Sequence, residues 1–128
     1  MHIIIGLEEC NLKDISLLKQ INKFLNNKKA ENIVILDIHL ISTISNYFMI
    51  ASAITVRQVK AITREITEKL SKKGIHPEDV EGLSEGKWVL LDYGNVIIHI
   101  FTREERNYYK LDHVWNQARK VDLSKIEN

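Results

Sequence analysis

The chain has 128 residues, a hydrophobic content of 45%, a charged content of 27% and a formal net charge of +1 at pH 7. This length fits one domain, which can bury roughly two-thirds of the surface that its unfolded chain exposes. The balanced charge argues against a protein that coats nucleic acid by bulk electrostatics, so we expect little direct nucleic-acid binding. The apolar runs are too short to span a bilayer, so no membrane segment is expected.

The N-terminal segment and the cysteine content predict a cytoplasmic location. Residues 1–10, MHIIIGLEEC, lack the basic region, the long apolar region and the cleavage site of a secretory signal. Cys10 is the single cysteine, so the chain cannot form an intramolecular disulfide. One cysteine in a chain of this length suits the reducing cytosol.

The first third of the chain predicts a helix followed by two strands. Apolar residues at a three-to-four spacing form one stripe from Leu12 to Leu25, and the polar residues 26–29 would end this helix. Residues 33–38 (IVILDI) and 47–53 (YFMIASA) are continuous apolar runs of strand length. Both runs are typical of strands that are buried on both faces.

A long helix is predicted to follow these strands. Thr55 is a suitable N-cap, and Gly74 would terminate the helix three residues before the only proline, Pro77. The apolar positions of this helix share one face; they are Val59, Ile62, Ile66 and Leu70.

The run from Trp88 to Phe101, WVLLDYGNVIIHIF, predicts a β-hairpin whose two faces differ in chemistry. Gly94 and Asn95 would supply the two positive-φ residues of a tight turn. The turn sets the register, which pairs Tyr93 with Val96, Leu91 with Ile98, and Val89 with Ile100. These residues form one apolar face. The other face mixes an acid, an imidazole and aromatic rings, which suggests a docking surface; it carries Trp88, Leu90, Asp92, Ile97, His99 and Phe101.

The remaining segments complete an α/β domain. Residues 79–82 form a short segment before the hairpin, Thr102 can cap a last helical region, and residues 124–128 are expected to be a frayed tail. The order of elements predicts a single α/β domain with a mixed sheet of four or five strands and helices mainly on one face.

The standard catalytic constellations are not apparent in this sequence. The five glycines are scattered, so no phosphate-binding loop is expected, and the histidines lack zinc-site spacing. Asp79 and Glu81 have the alternate spacing that places two carboxylates on one strand face, as a two-metal site requires, but a solvated strand edge explains them as well. No cofactor and no metal are expected.

His99 and Trp88 admit several roles. His99 could be a general base oriented by Asp92, a structural histidine or a contact for a partner. Trp88 is expected to be exposed or half-exposed, because a core role would require a second layer over the sheet.

Three blocks of sequence resemble the ribosomal silencing factors, also called the Iojap family. The resemblance runs from about Leu18 to Trp115. The blocks are Asp37-Ile38 with residues 47–52 (YFMIAS) and 57–62 (RQVKAI), then Glu81-Gly82 with residues 88–101, and finally residues 106–115 (RNYYKLDHVW). Three positions depart from the family pattern: Asn46 and Asn95 replace aspartates, and Ala53 replaces a glycine.

This resemblance implies a fold like that of the nucleotidyltransferases, without their activity. The Asp-x-Asp motif of those enzymes is incomplete at residues 37–39 (DIH), and no Gly-Ser is present. The resemblance also implies a non-enzymatic factor that binds the large ribosomal subunit through its ribosomal protein number fourteen and blocks joining of the small subunit. A nucleotidyltransferase-type enzyme, a large-subunit assembly factor and a structural subunit of another complex remain the alternatives.

The docking hypothesis assigns partner contacts to both the sheet and the helices. Its sheet residues are Trp88, Leu90, Asp92, His99 and Phe101. Tyr109 and Trp115 would lie at the rim or pack the last helix, and Arg57, on the second turn of the long helix, would either contact the partner or pair with Asp37. The apolar sheet face could also hold a second copy of the chain, so a homodimer is possible for the free protein.

Overall fold

A computed structural model describes residues 2–125, with side chains from Leu12 to Lys125. The side chain of Cys10 and residues 126–128 of the expected tail lie outside this description. The elements in chain order are α1 (His2–Asn27), β1 (Glu31–Asp37), β2 (Tyr47–Ala53), α2 (Val56–Ser71), β3 (Asp79–Glu81), β4 (Trp88–Asp92), β5 (Val96–Thr102), α3 (Arg103–Tyr109), α4 (Leu111–Val114) and β6 (Arg119–Lys120), followed by a 3₁₀ turn at Leu123–Lys125.

The strands form one mixed sheet in the order β3-β4-β5-β2-β1-β6. The central pair, β2 and β5, is parallel, and the other neighbouring strands are antiparallel. Over residues 2–125 the sheet therefore has six strands rather than the expected four or five. The additional strand, β6, contributes only Arg119 and Lys120, which have no apolar pattern from which a strand could be predicted.

Helices α1 and α2 cover one face of the sheet, as their apolar stripes predict. Leu18, Ile21 and Leu25 of α1 are fully buried, whereas Leu12 remains exposed. The apolar positions predicted for α2 are all buried, and the Thr55 side chain accepts a hydrogen bond from the Gln58 backbone N–H. Within the part of the chain that the structure describes, no helix is long and apolar enough to cross a membrane.

The two long helices lie on one face of the sheet, as expected, and the C-terminal segment with the two short helices covers part of the other face. Leu111, Trp115 and Ala118 pack against a second apolar cluster on that face, which includes Phe48 and Phe101. The expected single last helix is two short helices, because Lys110 adopts a left-handed conformation with φ of 50°. This break turns the chain back across the sheet.

The hairpin has the predicted register and a different turn. Leu91 pairs with Ile98, and the Tyr93 N–H donates to the Val96 carbonyl at 2.9 Å. Gly94 has a positive φ of 84°, but Asn95 does not, which fits the hairpin turn that needs one such residue at its first central position. The expectation of a positive-φ pair was therefore wrong.

The buried carboxylate of Asp14 is hydrogen-bonded to two of the three residues that depart from the family pattern. Asp14 is 4% exposed and accepts hydrogen bonds from the Asn46 amide at 3.0 Å and from the Asn95 amide at 3.3 Å. Aspartates at these two positions would place like charges beside Asp14, so the amides match their surroundings. Ala53, the third departure, is a buried strand residue without a positive φ and needs no glycine.

We expect Asn46→Asp to destabilise the protein more than Asn46→Ala. Asn46→Ala removes one hydrogen bond, which costs about 1 kcal/mol. Asn46→Asp adds a carboxylate beside the buried Asp14, and we expect this variant to lose roughly 2–4 kcal/mol. Urea unfolding at pH 7 measures both losses, and Ser42→Asp, in the same connection, controls for added charge. Equal losses in the two Asn46 variants would contradict this account of Asp14.

Candidate functional site

The candidate site begins with a hydrogen bond between two side chains of the hairpin. The Trp88 indole Nε1–H donates to His99 Nδ1 at 3.1 Å. Trp88 pairs with Phe101 across the two strands, and His99 pairs with Leu90, so Trp88 and His99 are diagonal neighbours on one face. The period of two places them on this face, and the hydrogen bond fixes how the two rings meet.

Aromatic rings surround this pair. Trp88 stacks on Phe101 with ring centroids 4.7 Å apart, and the Tyr109 ring also contacts it, with centroids 4.8 Å apart. Phe48 meets the His99 ring edge-on at 4.8 Å. The rings form one continuous aromatic layer, which runs from the buried Phe48 and His99 to the exposed Tyr109. Contacts of this kind stabilise a fixed arrangement of the rings.

The structure divides the predicted docking residues into accessible and buried members. Trp88, Leu90 and Asp92 are half-buried, and Tyr109 is 47% exposed. His99 and Phe101 are 4% and 0% exposed, so these two side chains lie beneath the surface. Trp88 is half-exposed, as expected, although a second layer does cover the centre of this face. An accessible patch of Trp88, Leu90, Asp92 and Tyr109 remains, and we call it the hairpin patch.

Burial controls the chemistry of His99. Desolvation lowers the pKa of His99 to about 4, so the ring is neutral at pH 7. Because Nδ1 accepts from Trp88, the neutral ring carries its proton on Nε2, and this buried atom has no hydrogen-bond partner among the residues that the structure describes. A buried unpaired donor costs about 1–3 kcal/mol.

Asp92 does not orient His99 as the general-base hypothesis requires. Its Oδ1 accepts a hydrogen bond from the Gly94 N–H at 2.8 Å, so the carboxylate supports the hairpin turn. His99 therefore lacks the predicted orienting acid, and its structural contact is with Trp88.

Sequence reasoning missed an arginine that holds the covering segment on the sheet. Arg106 of α3 donates to both oxygens of Asp112, at 3.3 and 2.9 Å. The same guanidinium donates a hydrogen bond at 3.2 Å to the hydroxyl of Ser52, a residue of β2. Arg106 and Asp112 are six residues apart on opposite sides of the break at Lys110, so no helical spacing could have predicted this pair.

Arg57 lies apart from the hairpin patch. It is exposed in the first turn of α2, not the second, and among the described side chains it makes no hydrogen bond or ring contact with Trp88. The alternative pairing with Asp37 is wrong, because Asp37 pairs with Arg119 at 3.0 Å and with the His39 imidazole. Asp37 ends β1 and pairs with the start of β2, whereas Arg57 follows the end of β2.

The paired acids of β3 lie at an exposed strand edge. Asp79 and Glu81 are both exposed, and a hydrogen bond with Asp79 is the main cause that raises the pKa of Glu81. Among the residues that the structure describes, no three His, Cys, Asp or Glu side chains are grouped so that they could hold a metal ion.

We expect His99 to make folding stability fall with acid. The unfolded chain takes up a proton at this residue below about pH 6.5, whereas the folded chain takes it up only near pH 4, so the stability present above pH 6.5 is lost as the pH falls. Between pH 7 and 4.5, the wild type should lose about 2–3 kcal/mol more than His99→Leu. Urea unfolding at both pH values measures this difference. The exposed-site variant His76→Gln should behave as the wild type, and parallel losses in wild type and His99→Leu would refute the prediction.

Comparison with known proteins places the chain in a family. The family model "Ribosomal silencing factor during starvation" matches residues 11–128. "Ribosomal silencing factor RsfS" of Bacillus subtilis is 40% identical over 108 residues, which cover 84% of this chain and 92% of that protein. The chloroplastic protein Iojap of Zea mays is 30% identical over 118 residues, which cover 90% of this chain and 48% of that protein.

A solved structure supports the same assignment at the level of the fold. A crystal structure of a protein from Bacillus halodurans superposes with a TM-score of 0.75 at 34% identity, covering 84% of this chain and 97% of that one. The family model spans nearly the whole chain, and the relatives match over most of it. The chain therefore belongs to the ribosomal silencing factor family.

Proposed function

We propose that this protein represses translation by binding the large ribosomal subunit through its ribosomal protein number fourteen, so that the small subunit cannot join. Family membership supports the connection with the ribosome. The observation that carries the proposal for this chain is the hairpin patch, which exposes aromatic and aliphatic surface on a rigid sheet. Such a function requires a surface that binds and a volume that obstructs, and it requires no reacting group.

The composition of the patch fits a specific protein contact. Trp88 and Tyr109 are residues that often supply most of the binding energy at the centre of an interface. Each is held by ring contacts, which reduces the conformational entropy that binding must remove. Leu90 adds apolar surface two residues along β4 from Trp88.

The strand beside the patch adds negative charge. Asp79 of β3 pairs with Asp92 of β4, and Glu81 pairs with Leu90, so exposed carboxylates line the edge next to the patch. A partner with a basic rim would complement this edge. The edge would increase the association rate and its dependence on salt.

Further parts of the proposal rest on the family resemblance. The fold is proposed to be related to that of the nucleotidyltransferases, without their activity, and the free protein is proposed to be a cytoplasmic chain that forms homodimers through the accessible part of the sheet face. Arg57 remains a proposed contact at a separate position.

We expect Trp88→Ala to weaken binding to purified large subunits by at least tenfold, because the variant removes the largest side chain of the patch. Sucrose-gradient sedimentation measures whether the protein migrates with large subunits and whether the peak of joined ribosomes falls when small subunits are added. The wild type should do both, and Trp88→Ala should do neither at the same concentration.

Two controls separate the possible outcomes. Arg64→Ala changes an exposed residue of α2 and should behave as the wild type. Circular dichroism establishes that each variant is folded. If the folded Trp88→Ala variant binds as the wild type does, the patch is not the contact, and if the wild type stays at the top of the gradient, the proposed function fails.

A further inference from the structure

We propose that His99 is a positioning residue, which acts on the partner through Trp88 and does not touch the partner itself. The inference rests on the proposed function, because it concerns how the hairpin patch is held ready for binding. It revises the hypothesis that His99 is a direct contact and gives this buried side chain a role.

His99 and Trp88 differ in their exposure to solvent. His99 is 4% exposed, so its ring lies beneath the surface, whereas the half-buried Trp88 reaches the surface. The hydrogen bond from Trp88 Nε1–H to His99 Nδ1 selects one orientation of the indole. An indole flipped about its Cβ–Cγ bond could also stack on Phe101 but would turn Nε1 away from His99, so the hydrogen bond selects between two orientations that stacking does not distinguish.

The unpaired Nε2 atom indicates that the role of His99 depends on its other ring nitrogen, Nδ1, which accepts the hydrogen bond from Trp88. Around the ring lie Phe48, Phe101 and Trp88, and an aliphatic side chain would fill this space without the unpaired Nε2, at the cost of the acceptor for the Trp88 indole N–H. A histidine at this position therefore lowers the stability of the fold, and its identified effect is to fix the orientation of the Trp88 indole. Sites that sacrifice stability in this way are commonly functional.

The test compares two side chains of nearly equal shape. Asparagine carries an acceptor oxygen at the position of Nδ1, and leucine carries a methyl group there, so His99→Asn keeps the acceptor and His99→Leu removes it. The first measurement is the solvent exchange rate of the Trp88 indole N–H in a nitrogen-15 NMR spectrum. Trp115→Phe assigns the two indole signals. The second measurement is the affinity for purified large subunits.

We expect the Trp88 indole N–H to exchange at least tenfold faster in His99→Leu than in the wild type, and His99→Asn to remain close to the wild type. Binding to large subunits should weaken about tenfold in His99→Leu and should be largely retained in His99→Asn. His99→Leu should be at least as stable as the wild type to urea at pH 7. If His99 served only to pack the core, His99→Leu would be less stable than the wild type, and the acceptor oxygen of His99→Asn would not preserve binding.

Ile50→Val is the matched packing control, since Ile50 lies beside His99 in register on β2 and on the same buried face. It should change neither exchange nor binding. Unchanged indole exchange in His99→Leu, or equal loss of binding in the Leu and Asn variants, would overturn the inference. If the wild type fails to bind large subunits, the proposed function fails, and the exchange rates still decide whether His99 fixes Trp88.

Discussion

The structure depends on one constraint, which is that the central parallel strands β2 and β5 are buried on both faces. Every residue of both strands is buried. Because the side chains of a strand alternate between faces, both sides of the sheet need an apolar cover. Helices α1 and α2 provide a cover with long apolar stripes. The other cover must come from the short segment after β5.

That second cover is narrow, and its limits define the hairpin patch. Trp115 meets the Phe48 ring at 5.1 Å, over β2, and Leu111 and Ala118 pack on the same cluster. Arg106 fastens the segment to Ser52 of β2, so the cover is centred on β1 and β2. Over β4, Tyr109 of α3 meets the Trp88 ring. The same sheet face is therefore core over its centre and accessible surface near its edge.

Local patterns in the sequence were sufficient for the elements that form locally. The stripes of α1 and α2, the Thr55 and Thr102 caps and the hairpin register follow from spacing and turn chemistry, and the structure contains them. The break at Lys110 and the strand β6 depend on distant contacts. Arg106 reaches Ser52 across 54 positions, and no local pattern specifies such a contact.

The candidate site shows where sequence reasoning ends. The period of two assigns Trp88 and His99 to one face, and the register makes them diagonal neighbours, so their contact could have been anticipated from sequence.

Neither the period of two nor the strand register states how deeply each side chain is buried. His99 belongs to the central strand β5 and is buried, whereas Trp88 and Leu90 belong to β4, whose outer neighbour is the three-residue strand β3. Depth follows from the position of a strand within the sheet and from its cover. Residues that share a face can therefore divide into those that touch a partner and those that hold them in place.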